Sequence, residues 1–132
     1  MIRKDIYKID IQDNLYFLVF HKIYNDGFGS AVSLYINEYE FLKFDCFGEN
    51  KGHYHIYDDI KSEMIYFTEK SCTEQINRIV YELSNNINFY LNKSNREDIK
   101  NFNIETSDFI KKIDDIKNKM LEYEYKFYSS LR

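Results

Sequence analysis

Two histidines on alternate positions, His53 and His55, and an aspartate just upstream, Asp45, are the residues whose types could do chemistry in this chain. They lie within Phe41 to Tyr57, FLKFDCFGENKGHYHIY, where a run with strand alternation enters a Gly-Glu-Asn-Lys-Gly loop and leaves through His53-Tyr54-His55. Imidazole titrates near neutrality, so the two rings could act as acid and base in RNA cleavage, with Asp45 fixing a tautomer. Two histidines and a carboxylate are also a usable ligand set for a divalent metal. In a third reading the rings are structural, hydrogen-bonded to loop backbone or to Asp45, and hold the Gly48-to-Gly52 loop. Against the first stands the lack of an obvious Arg/Lys clamp for phosphate; against the second, the lack of a further free histidine besides His21. The structural role is the expectation carried forward, with no metal and no cofactor. Cys46 could attack as a nucleophile beside His53, but its strand parity turns it inward, where a thiol is usually inert.

Strands must position these groups. Lys4 to Gln12 alternates Tyr7, Ile9 and Ile11 against Lys8 and Asp10, which predicts a half-buried strand, and Asp13-Asn14 is a turn pair. Leu15 to Tyr24 is apolar on both parities, so it is predicted to be central in the sheet. His21 shares the parity of Leu15 and Val19 and reads as a core-edge histidine. Asn25 to Gly29 reads as a loop, and Ser30 to Cys46 as a hairpin. A two-residue loop at Asn37-Glu38 would pair Val32 with Lys43. A three-residue loop, Asn37-Glu38-Tyr39, pairs Leu34 with Leu42 and Val32 with Phe44. That register keeps Val32, Leu34, Ile36, Leu42, Phe44 and Cys46 on one face and puts Asp45 on the other with Ser33, Tyr35 and Lys43. His53 to Ile56 is a short strand with both histidines on one side, and Glu63 to Thr68 a further short one.

Helices follow. Ser71 and Glu74 have capping-box spacing, and Ile76, Ile79, Val80, Leu83 and Ile87 form the apolar stripe of a helix packed on the sheet. Lys93-Ser94-Asn95 breaks it, and Ser94 with Glu97 repeats the capping spacing before a short turn near Ile99. A last helix runs from Thr106 or Ser107 towards Ser129. Its seam of Phe109, Ile113, Ile116, Met120, Tyr123 and Phe127 has heptad spacing. Either it docks on its own domain, or it pairs with another protein or a second copy of the chain.

At 132 residues the chain is one domain, 1–132, able to bury a core without staples. Residues 1–68 are mainly strands, 71–92 the core helix and 94–132 a C-terminal helical segment. The fold class is α+β: an antiparallel sheet of about five strands covered by the C-terminal helices. The net charge of −4 offers no basic stripe and disfavours nonspecific nucleic-acid binding. Cys46 and Cys72 read as free thiols of a cytoplasmic protein. Neither a signal peptide nor an apolar run long enough to span a membrane is visible. Walker, GxGxxG, nucleophile-elbow and HExxH motifs are absent.

The run Phe44-Asp45-Cys46-Phe47-Gly48 followed by Gly52-His53-Tyr54-His55 resembles a signature of small bacterial proteins of unknown function, over residues 30 to 68. The resemblance implies a bacterial or phage setting such as defence, counter-defence or toxin–antitoxin systems, and transfers no activity. Thirteen Tyr and eleven Phe exceed ordinary core demand, and aromatic residues are good interface anchors. The leading expectation is therefore a non-enzymatic protein–protein interaction protein. The alternative is a small histidine-dependent nuclease or toxin component with His53, His55 and Asp45 at its site.

Overall fold

A computed structural model describes residues 2–23 and 27–131. Tyr24, the predicted end of the second strand, and Asn25-Asp26, the start of the predicted loop, lie outside the described residues. Six strands form one antiparallel sheet in chain order: β1 (Lys4–Gln12), β2 (Leu15–Ile23), β3 (Phe28–Ile36), β4 (Tyr39–Asp45), β5 (His53–Ile56) and β6 (Glu63–Tyr66). The fold is α+β, with one strand more than the sequence count. Phe28 and Gly29 belong to β3 and not to a loop, because they continue the pairing with Ile23 and Lys22.

The β3–β4 hairpin has the predicted partners by a different route. Leu34 faces Leu42 and Val32 faces Phe44, but the loop is the two-residue Asn37-Glu38, with Ile36 opposite Tyr39. Both loop residues have positive φ, 50° and 65°, as tight hairpins whose turn matches the sheet twist require. A bulge at Phe41 then supplies the extra residue that brings Leu42 into register. Cys46 is consequently fully buried in the core, and Asp45 points to the opposite face.

Helix α1 (Cys72–Lys93) starts at the predicted capping box, with Ser71 Oγ accepting from Glu74 N and Glu74 Oε1 accepting from Ser71 N. Its Ile76, Ile79, Leu83 and Ile87 enter the core. The short α2 (Glu97–Lys100) departs from expectation: Ser94 Oγ accepts from Arg96 N at 3.1 Å, and Arg96 occupies the cap position without a side-chain cap.

Helix α3 (Thr106–Tyr123) continues into a π-helix, Glu124–Tyr128. The seam proposed for pairing is committed elsewhere: Phe109, Ile113, Ile116, Met120 and Tyr123 are at most 5% exposed within the single chain. Phe127 packs against the same core and stacks on His21 at 3.9 Å. Each such side chain contributes roughly 1.5–3 kcal/mol by leaving water, so these residues hold the domain together and are not a free surface for a second chain. Helix α3 packs against α1 and against β1, β2 and β3, and its seam faces that core.

His21 is the core-edge residue its parity implied. Its Nδ1 donates to Tyr128 Oη (2.9 Å), Tyr128 Oη donates to the Lys22 carbonyl (3.1 Å), and Nε2 faces Asp5 Oδ2 (2.6 Å). The π-helix thus grips β2 at the residue preceding, and the carbonyl of, a lysine that enters the site. Among the described residues no helix is long and apolar enough to cross a membrane.

Candidate functional site

The helices cover one face of the sheet, and the site lies on the other. Pairing places Asp45 opposite His53 and Lys43 opposite His55, so β4 and β5 alone bring four polar groups together. A fifth comes from farther away. Lys22 on β2 reaches past β3 to Asp45, with Nζ 2.8 Å from Oδ1. The crossing passes Gly29 and Ala31, which pair with Lys22 and Asp45 respectively. Ala31 is the chain's single alanine, and small side chains on β3 leave the lysine its path.

These groups floor a cleft of about 510 Å³ walled by Phe47, Met64 and Tyr66. Asp45 is fully buried; around its Oδ2 lie His53 Nε2 at 3.1 Å, Lys43 Nζ at 3.9 Å and His55 Nε2 at 4.0 Å. Both Asp45 oxygens are therefore ion-paired, Oδ1 with Lys22 and Oδ2 with His53.

The surroundings push the pKa values of the two histidines in opposite directions. His53 Nδ1 donates to the Lys51 carbonyl at 2.8 Å while Nε2 faces the Asp45 carboxylate. Both ring nitrogens therefore confront acceptors, which suits the doubly protonated ring. Burial works against that charge, but Asp45 and the Lys51 carbonyl outweigh it and raise the His53 pKa above its ordinary value. His55 goes the other way, lowered to about 4 by burial, by Lys43 and by His53. Its ring stacks flat on Tyr57, with centroids 5.3 Å apart. The two imidazole centroids are 5.0 Å apart. Burial pulls the Lys22 pKa down despite Asp45, whereas for Lys43 the attraction of Asp45 and Tyr57 exceeds the burial cost and raises it. Asp45 stays ionised: burial would raise its pKa, but His53, Lys22 and Lys43 together bring it below the usual carboxylate value.

The loop between β4 and β5 is anchored by Gln75 of α1. Its Oε1 accepts from Gly48 N (3.1 Å), and its Nε2 donates to the carbonyls of Gly48 (2.9 Å) and Glu69 (3.0 Å). Gly48, at φ 87°, takes a conformation that favours glycine. A Cβ on Gly52 would lie 2.2 Å from Gln75 Oε1, so glycine is required there by close approach.

Of the sequence candidates, Asp45, His53 and His55 converge, while Cys46 is on the core side. Sequence reasoning missed Lys22, Lys43 and Gln75. The parity argument had already put Lys43 beside Asp45, and that was the signal available for a phosphate clamp. Donor atoms of Asp45, His53 and His55 lie within 4.8 Å of one another and could approach one metal ion. Two ammonium groups beside the shared carboxylate oppose a divalent cation electrostatically and favour an anion.

Fold and site together define a small α+β domain with an open-faced meander and a cationic cleft behind it. The chain belongs to the family described as "Domain of unknown function (DUF7700)", whose model matches residues 12–120. That match extends well beyond the strands that carried the sequence resemblance and takes in all of Lys22, Lys43, Asp45, His53 and His55. No curated protein and no solved structure matches the chain.

Proposed function

We propose that the cleft is an acid–base site for a phosphodiester, and that the protein is a small histidine-dependent nuclease acting on RNA. One observation carries the reading: two imidazoles 5.0 Å apart, one facing the buried Asp45 carboxylate, which raises its pKa, and one near Lys43, where the pKa is lowered. Environments that push two titratable groups apart assign the acid and the base. His55 would take the proton of a 2′-hydroxyl, and O2′ would attack phosphorus. The P–O5′ bond breaks as His53 gives its Nε2 proton to the departing 5′-oxygen, leaving a 2′,3′-cyclic phosphate and a 5′-hydroxyl. Lys22 and Lys43 would oppose the charge gathering on the non-bridging oxygens. The chain's negative net charge makes long-range attraction of RNA weak, so recognition would rest on this local cluster.

The test is incubation of the purified protein with a single-stranded RNA oligonucleotide, read by mass spectrometry for cyclic-phosphate ends. His53→Ala and His55→Ala should each lower the rate by roughly 10²–10⁴-fold, the usual worth of an acid or base, in variants that circular dichroism shows to be folded. A 2′-deoxy substitution at the cleaved position should abolish the reaction. Absence of cleavage by wild type, or variants that cleave as fast as wild type, overturns the reading.

A non-enzymatic role in binding a protein partner, including a second copy of the chain, is the second reading. It is favoured by Met64 (49% exposed) and Tyr66 (57% exposed) on the short edge strand β6, where an acidic side chain of a partner could enter the cleft. A defence or toxin–antitoxin setting would suit either reading.

A further inference from the structure

The cleft has an apolar wall that the acid–base chemistry does not use. Register places Tyr66 opposite His53 and Met64 opposite His55, so each imidazole has an apolar neighbour on the sheet edge. Tyr66 is 57% exposed and its ring is tilted 56° to that of His53, with centroids 5.7 Å apart. Met64 is 49% exposed. Both line the same cleft as the charged floor. Large apolar side chains left open beside buried cations match a ligand with a flat apolar part joined to an anion. A nucleotide is such a ligand, and its base can stack on an aromatic ring only when it is not already stacked and paired in a helix. The wall belongs to an edge strand, so a strand of nucleic acid can enter and leave without threading a channel.

We infer that the substrate is single-stranded RNA, bound with one base stacked on Tyr66 against Met64 and the adjoining phosphate over Lys22 and Lys43. This rests on the nuclease reading for the identity of the polymer, but the stacking can be tested separately. Tyr66 is a positioning residue here and takes no part in proton transfer. The wall has no hydrogen-bonding group set to read a base edge besides the tyrosine hydroxyl, so discrimination among bases should be slight.

The experiment measures binding of a fluorescein-labelled single-stranded RNA oligonucleotide and of its duplex by anisotropy, with wild type, Tyr66→Ala and Tyr66→Phe. Turnover of the same oligonucleotide is measured beside that of 2-hydroxypropyl 4-nitrophenyl phosphate, a diester with no base. Tyr66→Ala should weaken single-strand binding roughly tenfold, the loss of one stacked base. Tyr66→Phe should restore it, duplex should bind more weakly than single strand, and Tyr66→Ala should lower turnover of the oligonucleotide more than turnover of the base-free diester. Equal single-strand affinity in wild type and Tyr66→Ala, or duplex bound as tightly as single strand, overturns the inference. Equal loss on both substrates in Tyr66→Ala also overturns it, since the ring would then act by holding His53. Expected binding with no turnover of either substrate by wild type defeats the nuclease reading and leaves the stacking standing. A wild type that binds neither RNA defeats both and favours a protein ligand.

Discussion

His53 and His55 are chemically the same side chain two residues apart, and their surroundings separate them. Their linkage to folding has opposite signs. For His53, with its folded pKa raised above 6.5, the stabilisation is fully present below 6.5 and is lost as pH rises through the raised value. For His55, lowered to about 4, the folded state binds fewer protons between about 4 and 6.5, so its share of stability grows as pH rises through that window. Imidazole NMR should show the His55 midpoint near 4 and that of His53 above 6.5. Lys43→Met should move the His55 midpoint upward, because Lys43 is the main cause after burial. The profile of kcat/KM should rise from the His55 value and fall through the His53 value. Coincident midpoints for the two rings would remove the acid–base distinction.

At the scale of the element, the Gly48-to-Gly52 loop sets where His53 stands, and α1 sets the loop. Gln75→Ala leaves the buried Gly48 N–H without its partner, while the Gly48 carbonyl keeps the Lys51 and Gly52 amides; the lost donor's partner should cost about 1–3 kcal/mol. Denaturant titration measures that loss, and hydrogen exchange should locate it in residues 48–52. Gly52→Ala should act on the same loop by collision with Gln75. Unchanged stability in Gln75→Ala would mean the loop holds itself. The loop's glycines and the parity of Asp45 were legible in the sequence, because alternation is a local property. The hold of Gln75 was not: it joins residues 27 apart, and a glutamine on a helix gives no sign of facing inward. The α3 seam misled for the converse reason. Heptad spacing states the width of a stripe, and the same width fits a partner helix or a groove of the chain's own domain.

The whole molecule is a sheet with two unlike faces. One is a conventional apolar core under α1 and α3. The other buries Lys22, Lys43 and Asp45, at most 6% exposed, and turns their charge towards a cleft. The antiparallel sheet and the β3–β4 partners were readable because alternation and a short turn are local properties. The site was half readable, since His53, His55, Asp45 and Lys43 lie on neighbouring strands. Lys22 reaches the site only after three strands have assembled, and no run of sequence contains that relation.

The bulge at Phe41 has a consequence for insertions and deletions. It is a phase shifter, inserted between a turn that needs two residues and a site that needs Asp45 and Cys46 on opposite sides. Removing Phe41 from the chain should leave the hairpin in phase, at the cost of a lost core side chain, about 3–5 kcal/mol. Removing Lys43 should instead exchange the two faces beyond it, driving Asp45 into the hydrocarbon core and Cys46 into the cleft. Two deletions of equal length, two positions apart, should thus give a weakened protein with its site and a protein that does not fold. Circular dichroism of the pair would tell them apart.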